Sequence, residues 1–402
     1  MKSIVCLTES KGVGKMKYFD CAATVPMDEE ALSAYVEISK MYFGNSESHH
    51  NIGISARNVL ENGRSILAEQ MGVEPKGLFF TSGGTESNLL AIISLARKAR
   101  EIGRGNHIIT AESEHASVLS AVHFLEKEGF QITKLKMEKN GQISTEQVLE
   151  NLRPDTILIS IQHVNQEIGT LQPIQEISRL IDRKKVLFHT DCVQSFGKVD
   201  IQEIIPYVDS ISVASHKIGG PKGVGAVYIR PDCSYEPVFP LLSQEDGFRG
   251  GTINVPGIAA FALAAAKTDP PSYWKECSRK RKLFRSALPD FPYTIYEAKQ
   301  SVQLPSIIGM TMDGIEGQLV MLECNRLGFA ISTGSACSEG KGEGAKTITA
   351  MREPDASAKQ FFRISFSDQT PDFDIIELAK TLYEISRRFS PGSLAQRTMI
   401  QS

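Results

Sequence analysis

The stretch "SVASHKIGGPKGVGAVYIR", from Ser212 to Arg230, holds the reading that decides the fold. An apolar run stops at His216–Lys217, glycines follow at Gly219, Gly220, Gly223 and Gly225, and an apolar run resumes. A lysine is almost never fully buried without a partner. At the end of a buried strand it is better placed for a ligand than for a core, because open α/β sheets bind ligands outside the carboxyl ends of their strands.

Working outward, residues 78–229 alternate short apolar runs with helical periods. The runs "LFF", "HIITA", "TILISI", "VLFHT", "SISVA" and "GAVYI" are nearly continuous in apolar residues, as in strands covered on both faces. Between them, "ESNLLAIISLARKAR" repeats apolar residues at helical spacing, and "STEQVLENL" opens with a capping box from Ser144 to Gln147. This pattern predicts an α/β domain with a mostly parallel central sheet. After "GGTINVPG" an Ala-rich buried helix follows. From about Ser278 strands ("SIIGMTM", "RLGFAIS", "FFRISFS") mix with helices ("GIEGQLVMLECN", "DFDIIELAKTLYEISRRF"), which reads as a smaller α+β domain.

Composition sets the outer limits. The 402 residues carry a net charge of −3, with 41% hydrophobic and 23% charged residues, as in an ordinary water-soluble globular chain. Nothing in this balance favours nucleic acid or a membrane surface as partner, and no apolar run approaches the length of a span. The first residues lack the apolar core of a signal peptide. The fragment "KGVGK" fails as a P-loop, since Glu9 stands where a glycine is needed and Met16 follows Lys15. Residues 1–15 read as an extension, or a start placed ahead of Met16. Seven cysteines, with no C-x-x-C, fit a reducing cytoplasm and at least one free thiol. No Cys/His spacing supplies a metal site.

The polar residues at the strand ends form a set. After "LFF" comes "TSGGTES", a glycine turn into a helix whose free amides, with Thr85, suit a phosphate. His115 follows "HIITA", Asn165 follows "TILISI", Asp191 and Gln194 follow "VLFHT", and His216–Lys217 follow "SISVA". Singly, each has an ordinary reading: a helix cap for the acid, a packed ring for the histidine, a solvated lysine. Capping alone does not explain so many at successive strand ends. Together they match the needs of pyridoxal 5'-phosphate: a Schiff-base lysine, an acid for the pyridine nitrogen, a flat side chain over the ring and a helix N-terminus for the phosphate. Lys217 is the lysine this reading selects, and the glycines behind it let the backbone pass close to the site.

The blocks "YFDCAATVPM", "FGNSESHHNIG", "FFTSGGTESNLLAI", "ESEHASV", "HVNQEIGTLQPI", "FHTDCVQSFGK", "ASHKIGGPKGVGAVYIR", "RGGTINV", "STGSACSEG" and "FRISFS" stand in this order. The chain resembles the cysteine desulfurases of IscS/NifS type, in the class V aminotransferase superfamily, from about Lys17 to its last helix. The resemblance implies a fold-type I architecture, with a large cofactor-binding domain over 27–270 and a smaller domain from 16–26 and 271–402 that carries the catalytic cysteine. It implies that Lys217 holds the cofactor and shuttles protons, that His115 stacks on the ring as acid/base, and that Asp191 pairs with the pyridine nitrogen. Gln194 would reach the phenolate oxygen. Gly84, Thr85, Ala214, Ser215 and His216 would surround the phosphate, with Thr252 reaching in from the partner of a homodimer. Asn165 and Arg363 would hold the substrate carboxylate, a bidentate task that suits arginine. Cys337 would be the nucleophile that takes the sulfur of L-cysteine as a persulfide.

Cys337 also stands out by its setting. It lies in "TGSACSEGKGEGAK", rich in Gly, Ser and Lys, where a thiolate can form and move; a free cysteine elsewhere is usually a small buried hydrophobe. Three departures from the family pattern bear on function. Cys21 replaces the usual Asn or Tyr. Ala214 stands where relatives have a serine, with Ser215 next as a substitute phosphate ligand. "SEGKGEGAKTITAM" lacks the Pro-Ser segment of relatives that serve iron–sulfur scaffolds. The expected acceptor is therefore a tRNA-thiolating enzyme in preference to a general iron–sulfur scaffold. A transaminase, a selenocysteine lyase and a non-catalytic sulfur-relay platform remain as alternatives.

Overall fold

The computed structural model describes residues 16–334 and 345–389; residues 1–15 and Cys337 lie outside the described residues. The chain opens with a short strand, β1 (Lys17–Tyr18), and two helices, α1 (Glu29–Met41) and α2 (Asn51–Met71). Asp28 caps α1, accepting from Glu30 N at 3.0 Å and Ala31 N at 3.1 Å, and Gly72 ends α2 in the left-handed conformation at φ 68°.

A seven-stranded sheet follows, built from β2 (Leu78–Thr81), β3 (His107–Ala111), β4 (Gln131–Leu135), β5 (Thr156–Ser160), β6 (Leu187–Asp191), β7 (Ser210–Ala214) and β8 (Gly225–Ile229). Their spatial order is β2-β8-β7-β6-β5-β3-β4. Only β8 runs against its neighbours; β7, β6, β5, β3 and β4 pair in parallel. Helices α3 (Gly84–Glu101), α4 (Ala116–Lys127), α5 (Thr145–Asn151) and α6 (Ile174–Leu180) make the crossovers. Every residue of β2, β3, β5, β6, β7 and β8 is buried, which is why these strands read as unbroken apolar runs. The strand such runs do not announce is β4, an edge strand with Gln131 and Lys134 exposed. In α5 the Ser144 hydroxyl accepts from Gln147 N at 3.0 Å, as predicted, but the Gln147 side chain donates to Glu138 at 2.6 Å instead of returning to the cap.

Helix α7 (Val255–Ala266) is the buried Ala-rich segment and packs against α1 and α2. Gly63 of α2 permits the approach, since a Cβ there would stand 3.2 Å from Ile258. After α8 (Pro270–Ala287), an antiparallel sheet forms in the order β12-β10-β9, from β9 (Tyr293–Tyr296), β10 (Ile307–Met312) and β12 (Phe361–Ser365). α9 (Gly317–Arg326) and α12 (Asp372–Phe389) join α8 around a second core that includes Phe284, Phe362, Ile364, Leu378 and Leu382. Strand β11 (Phe329–Ala330) pairs in parallel with β1, and Asp20 bridges Ser365, so the chain's first described residues join its last strands. The short helices α10 (Lys346–Ala350) and α11 (Asp355–Gln360) turn the other way: Ile348, Ala350 and Ala358 pack into the core of the larger sheet. Among the described residues no helix is long and apolar enough to cross a membrane.

Candidate active site

The carboxyl ends of β3, β5, β6 and β7 open on one cleft of about 390 Å³, closed from the other side by Asp20, Ala22, Ala23, Ser332–Gly334, Lys346 and Arg363. Lys217 lines it from one 3₁₀ turn beyond β7. Its ammonium donates to Ala22 O at 2.6 Å and Ala23 O at 2.8 Å. Burial first, then the positive charges of Lys198 and Arg363, push it down to about 7, so its amine is available at neutral pH.

The glycines behind Lys217 are structural. A Cβ on Gly225 would come within 2.6 Å of Gly83 Cα, and one on Gly220 within 2.0 Å of the Ser215 hydroxyl. Gly83 itself has φ 147° and precedes α3, an 18-residue helix whose first residues Gly84 and Thr85 line the cleft. The free amides of that turn and the positive helix end favour an anion. His216 lines the same end, its Nδ1 3.2 Å from the Thr24 hydroxyl. Burial and the neighbouring lysines push it down to about 4, leaving the ring neutral.

Asp191 ends β6 and is 7% exposed. Its carboxylate accepts from Asn88 Nδ2 at 2.7 Å and Val193 N at 2.8 Å. Asn88 also donates to the Ser117 hydroxyl at 2.9 Å, which lies 2.8 Å from His115 Nδ1. Ser117 N donates to the same Nδ1 at 3.2 Å. That bond fixes the tautomer: in the neutral ring the proton sits on Nε2. Burial holds His115 below its ordinary value. Asn88 thus links the acid to the histidine; as one polar residue inside a helical apolar period, nothing in the sequence marks it.

Arg363 rises from β12 into the cleft. Its guanidinium donates to Asp20 at 2.7 Å and to Gln166 O at 2.9 Å, and its Nε is buried without a partner. Gln194 donates to Ala22 O at 2.8 Å, while its Oε1 is buried and unpaired. Glu167 also lines the cleft and accepts from Thr347 N at 2.8 Å; burial raises its carboxyl above the ordinary range.

Gly84, Thr85, His115, Asp191, Gln194, Ala214, His216, Lys217 and Arg363 all line this cleft. Among the described residues, three expected site residues do not. Asn165, expected on the substrate carboxylate, is fully buried beside it: its Oδ1 accepts from Glu167 N at 2.9 Å and Ile168 N at 3.0 Å, and its Nδ2 donates to Thr347 at 3.0 Å. With both ends of the amide engaged, Asn165 holds the loop after β5 against α10. Ser215 lies outside the lining, its hydroxyl buried without a partner beside Gly220. Thr252 is exposed and away from this chain's own cleft. The sequence reading missed Asp20, Asn88, Glu167 and Lys346, which lie in or beside the quoted motifs but carry no strand-end signal.

Pyridoxal phosphate fits these residues on the structure's own terms. The anion-favouring turn at Gly84, the depressed lysine, the buried acid and the unpaired Arg363 Nε are spread along one cleft of ligand size. A family model for class-V aminotransferases matches residues 17–378. The chain is 45% identical over 371 residues to the NifS protein of Bacillus subtilis (strain 168), covering 91% of this chain and 93% of that one. It is 36% identical over 385 residues to the cysteine desulfurase IscS of Dictyoglomus turgidum (strain DSM 6724 / Z-1310), covering 93% and 96%. Among solved structures, a NifS-like protein superposes with a TM-score of 0.85 at 29% identity, over 93% of this chain and all 100% of that one. SspA in complex with cysteine superposes at 0.77 with 32% identity, over 88% and 100%. The chain belongs to the class-V aminotransferases, a family of pyridoxal-phosphate enzymes. Within that family it is one of the NifS/IscS-like cysteine desulfurases.

Proposed function

We propose that this chain takes the sulfur of L-cysteine onto Cys337, releases L-alanine and passes the sulfur to a protein acceptor. The observation that carries the reading is the pairing of a depressed, buried Lys217 with Arg363 across one cleft, beside the two ends of the segment that bears Cys337. Those ends meet: a Cβ on Gly334 would stand 2.7 Å from the Ala345 Cβ.

Bound pyridoxal phosphate supplies an aldehyde that condenses with amines and a ring that draws off the electron pair of the substrate Cα. The chain's own residues supply the rest. The α3 N-terminus and His216 hold the phosphate. Asp191, oriented by Asn88 and Val193 N, keeps a proton on the pyridine nitrogen. Arg363 takes the substrate carboxylate and Lys217 moves the proton at Cα. His115, protonated on Nε2, would serve as acid/base from the cleft wall. Residues 27–270 serve as the cofactor-binding domain, with 16–26 and 271–402 as the smaller one.

A homodimer accords with the exposed Val36, Met41 and Phe43 near α1 and with exposed Leu241 and Leu242, and it would bring Thr252 toward a second copy's cleft. The enzyme acts in the cytoplasm. Its acceptor is a tRNA-thiolating enzyme, on the ground that the residues flanking Cys337 differ from those of scaffold-serving relatives. The test is one reaction: purified enzyme, labelled L-cysteine, and both acceptor types. Alanine with label on Cys337 supports the desulfurase reading. A keto acid points to transamination, turnover of selenocysteine alone to a lyase, and no turnover to a relay platform. Label reaching only a scaffold protein overturns the acceptor.

A further inference from the structure

His189 stands two residues before Asp191 on β6, so both side chains project from one face of the sheet. Helix α3 packs on that face and places Asn88 against both. His189 is fully buried and does not line the cleft. Its Nε2 lies 3.2 Å from Asn88 Oδ1, and its Nδ1 lies 3.1 Å from the Ser210 hydroxyl on β7. The proton positions follow from the other end of this row. An ionised carboxylate only accepts, so Asn88 Nδ2, 2.7 Å from Asp191, is the donor there. Asn88 Oδ1 therefore faces His189, and as an acceptor it requires the His189 proton on Nε2. Nδ1 then accepts from the Ser210 hydroxyl. Burial pushes His189 down to about 3, so the ring is neutral and carries this one proton.

We propose that His189 is a positioning residue for Asp191: by donating to Asn88 Oδ1 it pins the amide with its NH2 group toward the carboxylate, and so fixes the plane of the acid that faces the pyridine nitrogen. Each Asp191 oxygen takes one donor, Oδ2 from Asn88 Nδ2 and Oδ1 from Val193 N. Val193 N alone would leave the carboxylate free to swing about its last torsion, whose rotamer well is broad. Asn88 also reaches the Ser117 hydroxyl at 2.9 Å, but a hydroxyl donates or accepts, so Ser117 does not choose which way the amide points. His189 does choose, because its Nε2–H tolerates only the oxygen end. It is itself seated in the sheet by Ser210, which makes it the fixed end of the row and the carboxylate the end that is held. Donation to Oδ1 also polarises the amide and strengthens the bond that its NH2 group gives to Asp191.

The inference rests on the reading of Asp191 as the acid that faces the pyridine nitrogen, but half of its test needs no cofactor. In apoenzyme labelled with nitrogen-15 at histidine and asparagine, NMR should place the His189 proton on Nε2 and show one slowly exchanging Asn88 NH2 pair. The signals are assigned by their loss in His189→Gln and Asn88→Ala. His189→Leu, which has no donor, should speed exchange of the NH2 pair about tenfold. His189→Gln, whose amide can donate from near the place of Nε2, should keep it within about twofold of wild type. In enzyme loaded with cofactor labelled at the pyridine nitrogen, His189→Leu should lower the midpoint of that nitrogen by about one pH unit, or about tenfold less pyridinium above the midpoint. His189→Gln should titrate near wild type. A wild-type His189 proton on Nδ1 overturns the proposal even if no variant folds. So does a Leu variant with wild-type exchange, or a Gln variant that behaves like Leu, since packing and not the donated hydrogen bond would then be at work. If Asp191→Asn leaves the pyridine midpoint unmoved, the reading of Asp191 fails, while the apoenzyme exchange still decides whether His189 pins Asn88.

Discussion

Lys217 and Gln194 donate to one oxygen, the carbonyl of Ala22, at 2.6 and 2.8 Å. The acceptor lies in a segment whose neighbours bridge to the last strand of the chain. The Lys217 amine is thus seated on backbone contributed by the segment around Ala22, and its position depends on how that segment is anchored.

Lys217→Ala should abolish covalent capture of the cofactor. Borohydride reduction of loaded wild-type enzyme, followed by peptide mapping, should place the pyridoxyl group on Lys217. A reducible lysine adduct persisting in the Ala variant would refute the assignment.

The burial of Lys217 also sets a pH dependence. Its folded value, about 7, lies below its ordinary 10.5, so below pH 7 the folded apoenzyme carries a charge that burial penalises. Between about 7 and 10.5 the unfolded chain binds the extra proton, and apoenzyme stability should rise by up to roughly 1.4 kcal/mol per pH unit from this group. Lys217→Met apoenzyme should melt above wild type at pH 6.5, with the gap closing as the pH rises through that window. A gap independent of pH would contradict the assignment.

Asp191→Asn should keep the cofactor yet lose about 100- to 1,000-fold in kcat, because the fixed negative charge facing the ring is gone. Cofactor content by absorbance and alanine release separate the two effects. Near-normal turnover would remove Asp191 from the mechanism.

Asn165→Ala should behave as a stability variant. Its amide engages Glu167 N, Ile168 N and Thr347, and leaving those groups unpaired costs about 1–3 kcal/mol. The expected result is a lower melting temperature with KM for cysteine within a few-fold. Arg363→Lys, by contrast, should raise KM by roughly 100-fold with little change in melting, since a lysine cannot make the bidentate contact. If Asn165→Ala moves KM as Arg363→Lys does, Asn165 touches substrate after all.

Cys337→Ala should bind cysteine, seen as a change in the cofactor's absorbance, yet release almost no alanine. Continued desulfuration would favour the lyase reading.

Much of the site was readable because a parallel sheet brings its strand ends to one edge. Once the six apolar runs are recognised, the polar residue after each is a candidate, and His115, Asp191, Gln194 and Lys217 all converge. Side chains several residues beyond a strand end are less predictable. Asn165 and Ser215 sit in the right segments, but whether a side chain faces the cleft depends on local turns that periodicity does not encode. Asn88 was invisible for a different reason: a polar residue inside an apolar period has no signal until its partners are known.

By itself, the amino-acid sequence determined the α/β class and the mostly parallel sheet and singled out Lys217 as the candidate lysine, because these arise from local periodicity and from residue types at strand ends. Tertiary structure alone decided that Asp20 pairs with Arg363, 343 positions away, and that Ala22 seats Lys217. It also decided that α10 returns to clasp Asn165 and Glu167. Those are contacts between distant segments. They are selected by packing and by the need to satisfy buried polar groups, and no short-range pattern records them.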